Sequence, residues 1–428
     1  MDGEIYIAAG LRTPFSKADG VLAKYDAIEL SVPVAQGMCA RLKPGTRPDF
    51  AVWGSVVPSL RWSNIAREIW LDAKLDPHVP AYSVVLACAS SVTAALSAGG
   101  LLRDTVRDLA IVGGAESMSR IQIGLTQGLS DGLRKIIQAR SLRSRLETIS
   151  KLRLKDIRLH IPAIVNRTTG LSMGEHTEIT AKEWRIPRTA QDEWALKGHQ
   201  RAVAAQKAGF FDDLIVPLPG ADHDTIPRAD TTLAKLARLP PAFDKRSGAG
   251  TLTAGNSSPV TDGAASVWVA TRTGLTRLAE GTPFARIVDF EINAIDLHTE
   301  GLLMAPSYAI PRLLERHNLR YGDIALWEIH EAFAAQVLAN VAALEDRAWV
   351  ADRTGVTRDL GTFPWERVNP NGSSLALGHP FAATGARDLS QTVKELWAMP
   401  VGSRAIVSVC ADGGQGAVVL LERPADRV

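Results

Sequence analysis

Cysteine is scarce in this 428-residue chain: Cys39, Cys88 and Cys410 are its three, widely spaced. Three scattered thiols make neither a disulfide framework nor a zinc-ligand pattern. A reducing, cytoplasmic setting is therefore expected, where a free thiol stays reactive. Net charge is nearly absent too, at +2, which gives no ground for a nucleic-acid partner. No apolar run approaches the roughly 20 residues that cross a bilayer. The start, MDGEIYIAAG, lacks the basic run and apolar core of a secretory signal. What is there is the composition of a folded globular protein, 46% hydrophobic and 22% charged, with a mean hydropathy of +0.01. The length allows a large core in two or three domains.

The chain repeats itself loosely, in four pairs of segments that keep the same order. IYIAAGLRTP near the start is matched by ARIVDFEINA (285–294), and DFAVWGSVVP (49–58) by DIALWEIHEA (323–332). SVVLACASSVTAALSAG is matched by RVNPNGSSLALGHPFAATGAR, each reading as strand, small-residue turn and helix. DLAIVGGAESM (108–118) is matched by AIVSVCADGGQGAVVLL (405–421), each an apolar strand running into glycines. Together the pairs predict an α/β protein of two related halves, each with a parallel-type sheet.

A different region lies between, at about 121–249. From 134 to 158 it carries nine Lys/Arg and two Asp/Glu. Leu142, Leu146, Ile149 and Leu152 recur there at helical spacing. The stretch reads as a basic amphipathic excursion, either a solvated face or a contact for an anionic membrane surface, a phosphate-bearing ligand or a partner subunit. PPAFDKRSGAG (240–250) reads as the linker back to the core.

Four places carry residues suited to chemistry. Cys88 sits where strand-like sequence gives way to helix-like sequence. A thiol at a helix N-terminus meets free N–H groups that favour thiolate and can receive an oxyanion. His379 lies in GHP, between a glycine and a proline, and imidazole is the usual base for a thiol. Cys410 closes an apolar strand and precedes Asp412, Gly413, Gly414 and Gly416, a turn that admits a ligand to the backbone. His330 in WEIHEAFAAQ can donate to a carbonyl oxygen, and HEAF has no metal-ligand spacing. Each of these residues alone also reads as a buried core thiol or a satisfied histidine. Cys39, in VAQGMCARL, fits helix packing.

Taken together, these motifs resemble the thiolase family over nearly the whole chain. The series runs GLRTPFSK, Cys88, GGAESMS (113–119), LSMGE (171–175), AFDKRSGAGTLTAGNSSPVTDGAA (242–265), HEAF, GHP and CADGGQG. HEAF, where many thiolases have NEAF, LLMAPSYA (302–309) and the basic insertion resemble the β-subunit branch of fatty-acid oxidation trifunctional complexes. The resemblance implies a five-layered αβαβα core. Residues 1–120 would form its first half, with 250–280 returning to it, 121–249 an inserted loop domain over the active site, and 281–428 the second half. It implies a 3-ketoacyl-CoA thiolase with coenzyme A as co-substrate, no permanently bound cofactor and no metal. A homodimer or homotetramer is expected, with a hydratase/dehydrogenase α-subunit and peripheral membrane contact through 134–158 as further partners. Residue by residue, Cys88 would be the nucleophile, His379 its activator, Cys410 the acid/base, and His330 the holder of an oxyanion water. The backbone at Cys88 and Asp412 would form an oxyanion hole. Ser258, Ala254 and Arg228 would meet coenzyme A, and Met173 would lie near the reactive sulfur.

The chain departs from the family pattern at three points. Ser91 and Asp412 stand where glycines are common, and Pro259 replaces a glycine beside the coenzyme A channel. The resemblance also admits a biosynthetic acetoacetyl-CoA thiolase, which would use the same residues in reverse, and a non-catalytic thiolase-like lipid carrier. A ketoacyl-synthase-type condensing enzyme shares the fold, but a second cysteine in a glycine turn argues against it.

Overall fold

The computed structural model describes residues 3–104, 106–151, 159–160 and 164–425. Its main strands are β1 (Tyr6–Ala8), β2 (Phe50–Gly54), β3 (Ala81–Ser83), β4 (Leu109–Glu116), β5 (Thr261–Ala270), β6 (Phe284–Ala294), β7 (Leu326–Ile329), β8 (Arg404–Ala411) and β9 (Gln415–Glu422). They form one hydrogen-bonded path, β3-β2-β4-β5-β1-β6-β9-β8-β7, with the short strand Ser16–Lys17 added on β5. The junction is β1, which pairs antiparallel with β5 on one side and β6 on the other. The first half of the sheet thus includes residues 261–270, which return to it after the long middle region.

The sheet wraps around two central helices, α3 (Ser90–Arg103) and the long helix Phe381–Trp397. One apolar cluster joins Val92, Ala95, Leu389 and Val393 to Val52 and Val112 of the first half and Val407 and Val419 of the second. Outside the first half lie α1 (Ala27–Ala40) and α2 (Ile65–Asp72), packed on the other face of β2, β4 and β5. Outside the second half lie the helices Ala305–Arg316 and Ala334–Glu345, packed through Leu313, Val337 and Val341 onto Trp327, Ile406 and Val418. The layering is αβαβα, the duplicated pattern expected from the sequence.

Composition explains the central layer. β4 reads LAIVGGAE with all eight residues buried, as a strand covered on both faces should. α3 is SSVTAALSAGGLLR, whose small residues let a helix be buried nearly all round. The close approach is stringent. A Cβ on Gly114 would lie 2.0 Å from the carbonyl oxygen of Ala382, and one on Gly385 would lie 2.4 Å from Val92 Cγ2. Ser91, where the family often has glycine, accepts a 2.7 Å hydrogen bond from the Ala386 N–H and ties the two central helices together.

The strand directions differ from the parallel-type sheets expected. β2 runs parallel to β3 and β4, and β7 runs parallel to β8. The remaining main-path pairings are antiparallel. Parallel neighbours need a helical crossover; here α3 and Phe381–Trp397 supply one in each half. β8 and β9 are instead joined by the tight turn 412–414, which reverses the chain.

The middle region adds α4 (Gln127–Gln138), α5 (Leu142–Lys151), α6 (Met173–Glu183) and α7 (Arg188–Lys207). No residue of α5 is buried, and Leu142, Leu146 and Ile149 are exposed. Leu152 and the rest of the basic stretch to 158 lie outside the described residues. The stretch 240–250 is packed in place: the Ala242 N–H donates to the Leu252 carbonyl, and Phe243 packs edge-on against Phe333, just ahead of the helix Ala334–Glu345.

The Gly114–Ala382 contact gives a stability test. Gly114→Ala places a methyl against backbone that cannot turn aside, so a loss of about 3 kcal/mol is expected. Urea unfolding should show a markedly lower midpoint. An unchanged midpoint would contradict this packing.

Candidate active site

The two central helices point their N-termini at one place. Cys88 is carried just ahead of α3, after Ala87 in a left-handed conformation (φ 43). A non-glycine residue there stores strain, on the order of 1–3 kcal/mol. Ser90 holds the turn: its hydroxyl accepts from the Leu86 N–H at 2.9 Å and donates to the Ala87 carbonyl at 2.7 Å. From the second half, His379 precedes the helix α10 (Phe381–Trp397, with Ala305–Arg316 and Ala334–Glu345 as α8 and α9). Gly378 before it has φ 103, and a Cβ there would lie 2.6 Å from Ile226 Cδ1. No other residue type meets both conditions.

His379 Nε2 lies 3.1 Å from Cys88 Sγ, and its Nδ1 lies 2.6 Å from Thr384 Oγ1. The His330 ring stands beside it, centroids 4.1 Å apart. His330 Nδ1 contacts Ser374 Oγ at 2.7 Å. Its Nε2 is buried with no hydrogen-bond partner among the described residues. One ligand atom from each of Cys88, His330 and His379 falls within 4.8 Å of the other two. Cys410, at the end of β8, is buried and near enough to Cys88 for a charge on Cys88 to raise it further, after burial. The structure thus clusters Cys88, His330 and His379, with Cys410 in their neighbourhood.

The electrostatics correct one expectation. The helix N-terminus was expected to favour a Cys88 thiolate. Burial dominates instead and pushes the thiol up to about 12, with the Asp412 carboxylate adding to the rise. The backbone N–H groups of Cys88 and Asp412, the pair expected as oxyanion donors, act on the sulfur in the opposite direction but do not prevail. Burial, with the Arg387 charge behind it, lowers His379 to about 3. His330 is lowered by burial first, then by His379 and Arg387. The resting pair is therefore a neutral thiol against a neutral imidazole. Near neutral pH, loss of the sulfur's proton is unfavourable until another bond to sulfur forms.

One cavity reaches this centre and a second lies beside it. The first, about 210 Å³, is lined by Cys88 and Asp412 with Val57, Met118, Ile164, Val165, Met173 and Phe381, so Met173 shares a cavity with the sulfur. The other, about 430 Å³, is lined by Arg228, Ala254, Ser258 and Pro259 among others and reaches Val260, which bridges to the His379 backbone. Arg228 is not simply open to the groove. Its guanidinium lies 3.1 Å from His199 Nε2, and burial followed by the Arg228 charge lowers His199 to about 4.

Sequence reading missed the supporting residues. Glu116 is buried and accepts from Ser55 Oγ and the Val56 and Val57 N–H groups, all at 3.0 Å, fixing a wall of the first cavity. Glu331 of HEAF accepts from Trp194, Asn369 and the Leu375 N–H. Arg387, fully buried, pairs with Glu328 at 2.7 Å and donates to Ser374 at 3.0 Å, behind His330. Thr384 was legible only as one of several small residues in FAATGAR.

Comparison with known proteins adds to this geometry. The thiolase N-terminal domain model matches residues 5–273, and the thiolase C-terminal domain model matches residues 281–423. A 3-ketoacyl-CoA thiolase of Yersinia pestis (strain Pestoides F) is 38% identical over 98% of this chain and 96% of its own. A thiolase from Ascaris suum, solved in complex with coenzyme A, superposes with a TM-score of 0.79 at 25% identity, covering 98% of this chain and all of that one. The Bacillus anthracis acetyl-CoA acetyltransferase superposes with a TM-score of 0.78 at 30% identity, covering 98% of both chains.

The raised thiol predicts a pH profile. Iodoacetamide reacts with thiolate, so carbamidomethylation of Cys88 in the free protein should rise about tenfold per pH unit from 7 to 10. Peptide mass spectrometry measures the rate; a plateau below pH 8 would contradict the neutral resting thiol.

Proposed function

The chain belongs to the thiolase family, and from that premise we propose that it is a 3-ketoacyl-CoA thiolase. It would split 3-ketoacyl-CoA with coenzyme A into acetyl-CoA and an acyl-CoA two carbons shorter. The observation that carries this reading is the Cys88–His379 contact of 3.1 Å with His330 beside it. The 210 Å³ cavity, with mostly apolar walls, supports a fatty acyl chain and so the degradative direction. The second cavity, with Arg228, Ala254 and Ser258, suits the pantetheine arm of coenzyme A.

In this mechanism Cys88 sulfur bonds to the 3-keto carbon as its proton passes to His379 Nε2. The Cα–Cβ bond breaks, and its electron pair leaves on the acetyl-CoA carbon as an enolate. His330 Nε2, buried and unpartnered among the described residues, is placed to hold the enolate oxygen directly or through water. Cys410 gives its proton to the carbon. Coenzyme A then enters, loses its thiol proton to Cys410, and takes the acyl group. Cys88 sulfur leaves and recovers its proton from His379. The N–H groups of Cys88 and Asp412 hold the thioester oxygen during both attacks. Two easier steps replace one hard one.

Branch and partners belong to the same proposal. The exposed edge of β3 suits pairing with a second copy, in a homodimer or dimer of dimers. HEAF and the basic helices α4 and α5, with Leu142, Leu146 and Ile149 exposed, suit a trifunctional-complex β-subunit that meets an α-subunit or an anionic membrane face. Among the described residues no helix is long and apolar enough to cross a membrane; a cytoplasmic site of action is proposed.

Steady-state thiolysis of 3-ketoacyl-CoAs from C4 to C16 tests the reading. Cys410→Ala should lower kcat by about 10³ or more while Cys88 still accepts acyl groups, because only proton transfer at carbon and at the coenzyme A thiol is lost. His330→Ala should cost about 10²–10³ in kcat, the effect of one oxyanion donor. Wild-type protein that cleaves no 3-ketoacyl-CoA, or a Cys410→Ala variant at full rate, would overturn it.

A further inference from the structure

Asp412 is the residue by which this catalytic turn departs from a run of glycines, and its carboxylate is engaged. Oδ1 accepts from the Asn166 side-chain N–H at 2.8 Å and from the Gly413 N–H at 2.6 Å. Asn166 is buried and is the knot of its own loop. Its Oδ1 accepts from the N–H groups of Thr168 and Thr169 at 3.0 and 3.1 Å. Its backbone N–H donates to the Leu171 carbonyl and its carbonyl accepts from the Gly170 N–H. That donor pattern fixes which side-chain atom is oxygen and which is nitrogen. Immediately before this knot stand Ile164 and Val165, and just after it Met173, all three lining the Cys88 cavity. Ile164 and Val165 are 43% and 40% exposed, and Val165 bridges to Ser172 across the knot.

We propose that Asp412 and Asn166 form a latch that ties the 164–173 wall to the catalytic turn and thereby sets the acyl-chain length the cavity accepts. The link spans 246 residues of sequence and joins the loop region to the second half of the core. Asp412 is here a positioning residue: it acts through Asn166 on the apolar side chains flanking it. Long acyl chains press on Ile164 and Val165, while a C4 substrate meets that wall only near Met173. The latch therefore governs the ratio of long-chain to short-chain turnover more than turnover itself. The proposal rests on the thiolase reading of this cavity.

Side-chain exchange tests it. Asp412→Asn alone keeps an oxygen for Asn166 and Gly413, so its chain-length profile should stay within about twofold of wild type. Asn166→Asp alone sets two carboxylates against each other and opens the latch. The ratio of kcat/KM for C12 to that for C4 should then change by about tenfold, the scale of one hydrogen bond to a charged group. The double variant N166D/D412N restores the link with its polarity reversed, giving up the Gly413 N–H bond to the same atom, and its C12-to-C4 ratio should return to within about threefold of wild type. Should Asn166→Asp melt early, Asn166→Ala replaces it, with the same expected direction. A second readout needs no activity. Arg167 is exposed beside the knot, so tryptic cleavage after it should quicken in Asn166→Asp and slow again in the double variant. If even wild type cleaves no 3-ketoacyl-CoA, the function fails, while the tryptic rates still judge the latch. Wild-type profile and tryptic rate in Asn166→Asp, or a double variant no better than that single one, would overturn the proposal.

Discussion

Everything at this site depends on how closely two helices can approach between two half-sheets. α3 and α10 meet through residues too small to hold them apart, and the Ser91–Ala386 hydrogen bond fixes their offset. That contact sets Cys88, from the first half, 3.1 Å from His379, from the second. Neither half contains a working pair alone. The duplicated architecture therefore acts as a positioning device: each copy contributes one helix start, and the active site lies where the two starts converge.

The same convergence removes water, with a cost and a use. Burial holds Cys88 protonated and both histidines neutral. A resting ion pair would be more reactive but would need compensation that the site lacks. Arg387, the charge behind the histidines, is already paired with Glu328 and Asp388. Instead the site stores donors, namely two backbone N–H groups at the sulfur and an unpartnered His330 nitrogen. Such preorganised dipoles favour negative charge only where a substrate oxygen develops it. A thiol that stays neutral until then is also shielded from oxidation.

Much of this was legible in the sequence because the chemistry-bearing residues sit in locally distinctive words. GHP, HEAF and CADGGQG each announce a backbone constraint as well as a side chain. The four repeat pairs became real counterparts: β1 with β6, β2 with β7, α3 with α10, β4 with β8. What stayed hidden were contacts made by ordinary residues far apart in the chain. Thr384 under His379, Ser374 under His330 and Glu116 behind the 55–57 turn look in sequence like unremarkable helix or strand residues. The antiparallel middle of the sheet was hidden for another reason: apolar strands of either direction read alike once buried on both faces. The thiolate expectation failed because a helix start is visible in sequence and the burial opposing it is not.

The central claim is that Cys88 carries the acyl group and that His379 moves its proton. The most direct measurement mixes the protein with a 3-ketoacyl-CoA in the absence of free coenzyme A and maps the acyl adduct by peptide mass spectrometry. The account predicts one acyl group on Cys88, formed rapidly by wild-type protein and several orders of magnitude more slowly by His379→Ala. An adduct on another residue, or equal rates with and without the imidazole, would contradict it.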